Sequence, residues 1–399
     1  MPDPAGLNVV GYLGTVIGQG RSALRFGDGL DAAGVAWAGF DLRLDGARDG
    51  PPVTRFGTAP FPYRATVLWC NPDRYGLDIN VDDPLTRGRF TVGRWAWEFE
   101  QVPAAWAGAA ALLDEIWVIS AFVADAVRAA VDVPVVVLPL PIAVRPVAQP
   151  LDRARFGVAA DAFLFGFAFD HHSIARRKNP LGVVEAYRRA FGERDGTALL
   201  VKSVNAASDP AAAAELHAAA AGRDDIRIVD EAFTADAMDA LLAGLDCYVS
   251  LHRSEGFGLG MAEAMAHGTP VIATGYSGNL EFMTADTALL VGHRLTAVGN
   301  GADPYPAEGM WAEPDVDHAA ALMRRLAGDR SAAAELGARG AAVIARRFAP
   351  AVAGAVAADH VARIHRTLAE RDHQELQQQP SAGRTRSRSG PRSSSSSSL

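Results

Sequence analysis

The stretch Leu251-His252-Arg253-Ser254-Glu255-Gly256-Phe257-Gly258-Leu259-Gly260-Met261-Ala262-Glu263-Ala264-Met265-Ala266-His267-Gly268-Thr269-Pro270 decides how the chain is read. The apolar run that leads into it has the length and composition of a buried strand, and a helix opens near Leu259. Gly256 and Gly258 let the backbone come close to a ligand, and the free N–H groups of the helix's first turn can hold a phosphate. Glu255 sits at the mouth of that helix. Glu263 lies eight residues further, roughly two turns at ~3.6 residues per turn. One carboxylate then faces a group beyond the phosphates, while the other reaches hydroxyls on the nucleoside side. Two acceptors flanking an anion site suit a hydroxyl-rich nucleotide sugar. The same glycine turn is also the form of a dinucleotide fingerprint, although no ribose-binding acid stands clearly at a second strand's end. Glu263 also reads as a solvated helix residue, against which the packed neighbours Ala262, Ala264 and Met265 argue.

Outward from this stretch, short β-branched runs alternate with Ala/Leu-rich amphipathic segments, the pattern of parallel sheets covered by helices. Strands are expected at 7–13, 36–40, 65–70, 89–95, 116–119 and 133–138. A second set is expected at 164–169, 198–202, 226–229, 247–251, 270–273 and 288–291, with helices over 211–221 and 235–243. The proline-spaced stretch Pro139, Pro141, Pro146, Pro150 separates the two sets and reads as an interdomain connection. The expected fold class is α/β, two doubly wound Rossmann-like domains facing a central cleft, with ligands outside the strand C-termini. The expected division is 1–145 and 146–345 for the two domains, 346–371 for a C-terminal helix, and 372–399 for a disordered low-complexity tail rich in Gln, Arg and Ser.

Composition narrows the class. The chain has 399 residues, 49% of them hydrophobic, enough for two cores. The net charge of −8 argues against generic nucleic-acid binding. No apolar run of the ~20 residues that span a bilayer is read from the sequence, and the start Met1-Pro2-Asp3-Pro4 resembles no secretory signal. The two cysteines, Cys70 and Cys247, lie singly in strand-like segments and suit a reducing cytoplasm. The expected location is cytoplasmic, peripheral to the inner membrane face if the tail arginines meet anionic lipid.

Glu255-x7-Glu263, followed by Gly268-Thr269-Pro270-Val271-Ile272-Ala273-Thr274, resembles the signature of the GT4-type (group 1) retaining glycosyltransferases of the GT-B fold. Thr274-Gly275-Tyr276-Ser277-Gly278-Asn279-Leu280-Glu281-Phe282 resembles that family's second glycine loop, and the likeness is strongest over 164–291. The resemblance implies transfer of a hexosyl group, mannosyl or glucosyl in type, from a nucleotide-diphosphate sugar to an acceptor hydroxyl with retention of configuration. It implies no cofactor beyond the nucleotide-sugar donor, and a carbohydrate, lipid-linked or small-molecule acceptor. Glu255 would contact the donor hexose and Glu263 the ribose. Gly256, Phe257, Gly258 and Leu259 would surround the donor, with Ser277, Gly278 and Asn279 at its phosphates or hexose. The alternatives are an epimerase or hydrolase on the same scaffold, and a silent sugar-nucleotide binding protein.

The family also places an Arg-x4-Lys pair beside the donor diphosphate. Here Lys178 matches the lysine but Ser173 occupies the arginine's place, so Arg177 or Arg176 is the expected substitute. On the acceptor side, Gly14, Gly18, Gly20 and Arg21 resemble a flexible glycine loop. Trp95, Trp97 and Glu98 combine aromatic faces with a carboxylate, and Glu98 is a candidate for orienting the reacting hydroxyl. Asp315-Val316-Asp317 has the form of a metal-binding pair, but its position after Pro314 and before an Ala/Leu run makes it a helix cap. No metal site is expected.

Overall fold

The computed structural model describes residues 5–15, 18–42, 61–76, 86–193 and 195–378. Two parallel sheets of six strands organise it. The first contains β1 (Gly6–Gly11), β2 (Ala36–Asp41), β3 (Ala65–Trp69), β4 (Phe90–Arg94), β5 (Glu115–Val118) and β6 (Val135–Val137), ordered β2-β1-β3-β4-β5-β6. The second contains β7 (Phe163–Ala168), β8 (Thr197–Ser203), β9 (Ile226–Asp230), β10 (Cys247–Ser250), β11 (Val271–Thr274) and β12 (Leu289–Val291), ordered β12-β11-β10-β7-β8-β9. An antiparallel pair, β13 (His293–Ala297) and β14 (Met310–Pro314), follows β12 and had no counterpart in the sequence reading.

The helices are α1 (Gly18–Ala32), α2 (Ala105–Ala110), α3 (Ala121–Arg128), α4 (Ala175–Lys178), α5 (Pro180–Ala190), α6 (Pro210–Ala220), α7 (Ala235–Gly244), α8 (Leu259–Ala266), α9 (Val316–Ala327), α10 (Arg330–Phe348) and α11 (Pro350–Gln378). Strand β3 is buried at all five positions and β7 at all but Ala168, as strands covered on both faces must be. Cys70 and Cys247 are free, buried thiols.

In the second sheet the connections run outward in opposite directions from β7 and β10, which are neighbours. That reversal leaves a crevice beyond the C-terminal ends of the two strands, where open α/β sheets bind ligands. The turn after β7 carries Lys178 and the turn after β10 carries Glu255, so topology alone brings them to one place.

Helix α11 packs along α1 of the first sheet, where Gly354 lies so close that a Cβ would sit 2.1 Å from the Gly29 carbonyl oxygen. It continues to Gln378, seven residues beyond the expected boundary at Arg371. Long-range ion pairs hold the added turns: Arg371 to Asp114 at 2.9 Å and Arg64 to Asp372 at 2.6 Å. The remainder of the expected tail, from 379, lies outside the described residues. By length and composition the helical stretch Arg330–Gln378 passes as apolar enough to cross a membrane, in contrast to the sequence reading. Here α10 lies against α8 and α11 against α1.

Candidate active site

A cavity of about 800 Å3 fills the cleft between the sheets. It is lined by Gly18, Trp97 and Glu98 of the first half and by Ser173, Arg177, Lys178, Glu255, Gly256, Phe257, Gly258 and Leu259 of the second. Lys178 and Arg177 end a one-turn helix that Ile174 enters at φ 60° and Asn179 leaves at φ 56°. Asn179 is fixed by its side-chain amide donating to the Leu251 carbonyl at 2.8 Å, which ties the basic turn to the glycine turn. Positive φ at both ends of α4 is uncommon for non-glycine residues and fixes the direction in which the two cations leave the backbone.

Both cations converge on Glu255. The Lys178 ammonium donates to Oε1, and Arg177 Nη1 lies 3.3 Å from Oε2. Arg177 also donates to the Ser254 carbonyl at 2.9 Å and approaches Glu98 Oε1 at 3.8 Å. Burial pushes the Glu255 carboxyl up, but Lys178, Arg177 and His252 outweigh it and bring it down to about 2. Burial lowers Lys178 on balance, with the Glu255 charge opposing it, and burial of Arg177 is outweighed by Tyr305, Glu98 and Glu255, which raise it. We take the ionised pair as the resting state at neutral pH, because one carboxylate answers two buried cations. The buried Arg177 Nε has no protein partner.

Helix α8 begins after Gly258 at φ 90°, without a side-chain cap. Its first N–H groups therefore face the crevice as an anion site. Gly256 has a different reason to be glycine: a Cβ there would stand 2.4 Å from the Trp97 carbonyl oxygen of the first domain. Gly256 also accepts from the Ser120 hydroxyl at 2.6 Å, and the Ser254 hydroxyl donates to the Glu98 carbonyl. The glycine turn is thus clamped between the domains as well as open to the cavity.

Several expected positions fall elsewhere. Ser277, Gly278 and Asn279 are buried behind the glycine turn rather than on the cavity wall. Ser277 Oγ accepts from the Glu255 N–H at 2.8 Å, and a Cβ on Gly278 would lie 2.0 Å from the Gly256 carbonyl. Asn279 lies 3.2 Å from His252 and donates to the Thr274 carbonyl at 3.0 Å. They shape the turn that carries Glu255. Glu263 does not line the cavity; it pairs with Arg25 and, at 3.5 Å, with Arg21, both on α1. Arg176 points away, donating to the carbonyls of Asn300 at 2.6 Å and Val298 at 2.7 Å, which leaves Arg177 as the cation that joins Lys178. Gly18 and Gly20 open α1 rather than a flexible loop, and a Cβ on Gly20 would stand 2.3 Å from the Tyr12 carbonyl oxygen. Asp315 caps α9 by accepting from the His318 N–H at 2.9 Å, and Asp317 pairs with Arg189 at 2.9 Å.

The sequence reading missed Tyr305, Arg25, Ser120 and His252. Tyr305 donates to Glu98 Oε2 at 2.8 Å and lines the cavity. The one local sign is an aromatic residue bracketed by Pro304 and Pro306. Burial lowers His252, whose ring lies 3.1 Å from Ser250 Oγ and 3.2 Å from Asn279 Oδ1.

Residues 175–300 match the family model described as glycosyl transferases, group 1. The segment contains Arg177, Lys178, Glu255 and Glu263. A protein of Anabaena, HepE, solved with UDP and glucose, superposes with a TM-score of 0.66 at 14% identity over 90% of this chain and 99% of that one. Sucrose-phosphate synthase of Thermosynechococcus elongatus gives 0.64 at 16% identity over 91% and 98%. A glycosyltransferase of Rickettsia africae gives 0.65 at 14% identity over 91% and 99%. The fold is GT-B. In GT-B terms the six-stranded β7–β12 unit is the second domain and the cavity is the interdomain cleft. No curated relative matches the chain.

Proposed function

We propose that the protein is a nucleotide-sugar-dependent glycosyltransferase that moves a hexosyl group to an acceptor hydroxyl with retention of configuration. The observation that carries this is the convergence of Lys178 and Arg177 on Glu255 at the crevice of the second sheet, beside the uncapped start of α8. A nucleoside diphosphate needs that combination: two cations and a row of N–H groups that neutralise charge as it develops on the leaving group. UDP in the HepE structure and the match over 175–300 support the donor class.

Glu255, held at about 2, neither gives nor takes a proton near neutral pH. It positions Lys178 and Arg177 and presents a carboxylate to the hexose. The acceptor proton therefore passes to the departing diphosphate as the bond from the anomeric carbon to that oxygen breaks and the bond to the acceptor oxygen forms. Such transfer on one face keeps the anomeric configuration. Glu98, which receives the Tyr305 hydroxyl and faces Arg177, orients the acceptor side.

Thermal shift across UDP, GDP, dTDP and their glucose and mannose conjugates tests the reading. A ligand that binds the native state raises the melting temperature, by ~2.7 kcal/mol of stabilisation at a hundredfold excess over Kd. No shift with any nucleotide refutes the proposal.

A further inference from the structure

The β13–β14 pair projects from the second sheet, and its tip, residues 298–309, crosses to the first domain. There it closes a second cavity of about 640 Å3 against Trp97 and the segment Gln101, Val102, Pro103, Ala104. Trp97, Pro103, Pro304 and Tyr305 line both this cavity and the main cleft, so the two meet at one wall. The tip is built to stay in place. Arg176 holds the carbonyls of Val298 and Asn300 while its guanidinium lies 5.5 Å from the Trp311 ring centre. Tyr305 stacks on Phe99 at 5.5 Å and leans on Trp97 at 5.3 Å. The tip beyond Asn300 and all of β14 fall outside the segment that matches the family model.

We infer that this second cavity is the acceptor site, and that it takes a neutral, hydroxyl-rich sugar. The inference rests on the proposed glycosyl transfer. Among the described residues the lining contains Asp303, Glu308, Asn300 and Gln101 but no lysine, arginine or histidine. Phosphate or carboxylate acceptors gain no cation there and meet two acids; sugar hydroxyls find acceptors, amides and backbone groups over an aromatic wall. The Tyr305–Glu98 hydrogen bond stands at the junction, and Glu98 leads through Arg177 to Glu255. A hydroxyl entering from the second cavity therefore meets Tyr305 and Glu98 first and the reacting centre next. Tyr305 is a positioning residue in this scheme, and the tip of the β13–β14 pair sets which sugar is accepted.

Two filling variants test it in the full chain. Ala104 and Asn300 are exposed at the rim of the second cavity, so Ala104→Trp and Asn300→Trp should fold, as an unchanged melting temperature would report. UDP and GDP titrated by calorimetry read the donor site alone. Transfer from UDP-glucose and GDP-mannose is then measured against glucose, mannose, maltose, glucose 6-phosphate and glucuronic acid. The expected result is unaltered nucleotide affinity, a KM for a neutral sugar raised at least tenfold in both variants, and little use of the phosphorylated or acidic sugars. Unchanged KM in both variants overturns the assignment of the cavity. A preference for the anionic sugars, or nucleotide binding with no transfer to any neutral sugar, overturns the acceptor class. If the wild type binds no nucleotide, the donor reading fails instead, and the acceptor site falls with it.

Discussion

Replacing Glu255 by Gln keeps the side chain's shape and removes the charge on which two buried cations depend. The carboxyl comes down from 4.5 to about 2 in the folded protein. At ~1.4 kcal/mol for each pH unit, that is about 3 kcal/mol of stability. The same magnitude follows independently from what it costs to remove one member of a buried ion pair, ~3–5 kcal/mol. In a domain of roughly 200 residues this lowers Tm by about 6–12 °C. The sign of the pH dependence is fixed by the direction of the shift. A carboxyl depressed on folding contributes its stability above its unfolded value and loses it as pH falls through the folded one. The gap between wild type and Glu255→Gln should thus be flat from pH 8 to 5, narrow below about 4.5 and vanish near 2. Differential scanning fluorimetry across that range reads it directly. Removing one of the two cations as well should restore part of the loss, because Arg177 is then left with Glu98 alone at 3.8 Å; Glu255→Gln/Lys178→Met should then melt between the single variant and the wild type. A Glu255→Gln variant as stable as wild type at pH 7, or a gap that persists unchanged to pH 3, refutes the electrostatic account of this site.

Glu98→Gln should lower kcat by ~10²-fold or more, with nucleotide affinity unchanged in calorimetry, because a positioned carboxylate at the acceptor side acts on the reaction and not on donor binding. Tyr305→Phe, which loses only the hydroxyl that holds Glu98 at 2.8 Å, should raise the acceptor KM in steady-state assays while Tm moves little. Transfer should survive excess EDTA, and Asp315→Asn/Asp317→Asn should leave the rate intact, since Lys178, Arg177 and the α8 N–H groups supply the positive charge; strict dependence on a divalent ion refutes this. Gly256→Ala should destabilise by ~1–3 kcal/mol in urea melts, because its methyl group, 2.4 Å from the Trp97 carbonyl oxygen, meets backbone that must shift.

Both sheets were legible because strands buried on two faces read as short apolar runs; Leu164, Phe165, Val249 and Leu251 admit little else. Glu255 was legible because it follows such a strand into a glycine turn, and Lys178 only through the resemblance to the family's Arg-x4-Lys pair. The β13–β14 pair escaped for the opposite reason. Strand β13 is exposed or partly exposed at all five positions, His293 through Ala297, so no buried face imposes alternation on it. Gly18 and Gly20 read as a loop because they resemble the family's acceptor-side glycine loop. In the fold, Gly20 and Gly29 are needed where α1 passes close to the Tyr12 carbonyl and to Pro141. Partnerships across the chain were invisible throughout: Glu263 with Arg25, 238 residues away, and Ser254 with Glu98, 156 residues away, leave no trace in local spacing.

Those distant partnerships have a mechanical consequence. Polar contacts cross the cleft around one short turn and beside it: Ser120 to the Gly256 carbonyl and Ser254 to the Glu98 carbonyl at the turn, Tyr276 to Glu100 at 2.7 Å and Glu263 to Arg25 beside it. The turn that the first two hold is the same Ser254-Glu255-Gly256 segment that presents the carboxylate to Lys178 and Arg177. Separating the domains must break these bonds and pull Glu98 away from Arg177, while Glu255, Lys178 and Arg177 travel together on the second sheet. The donor half of the site therefore remains assembled when the cleft is open, because all three of its charged groups hang from β7 and β10. The proposed acceptor half, Trp97, Glu98 and the 298–309 tip, comes into register only when the cleft is closed. In the proposed transfer, chemistry that needs both halves is then confined to the closed form, and water reaching an opened cleft would meet a site without Glu98 in place.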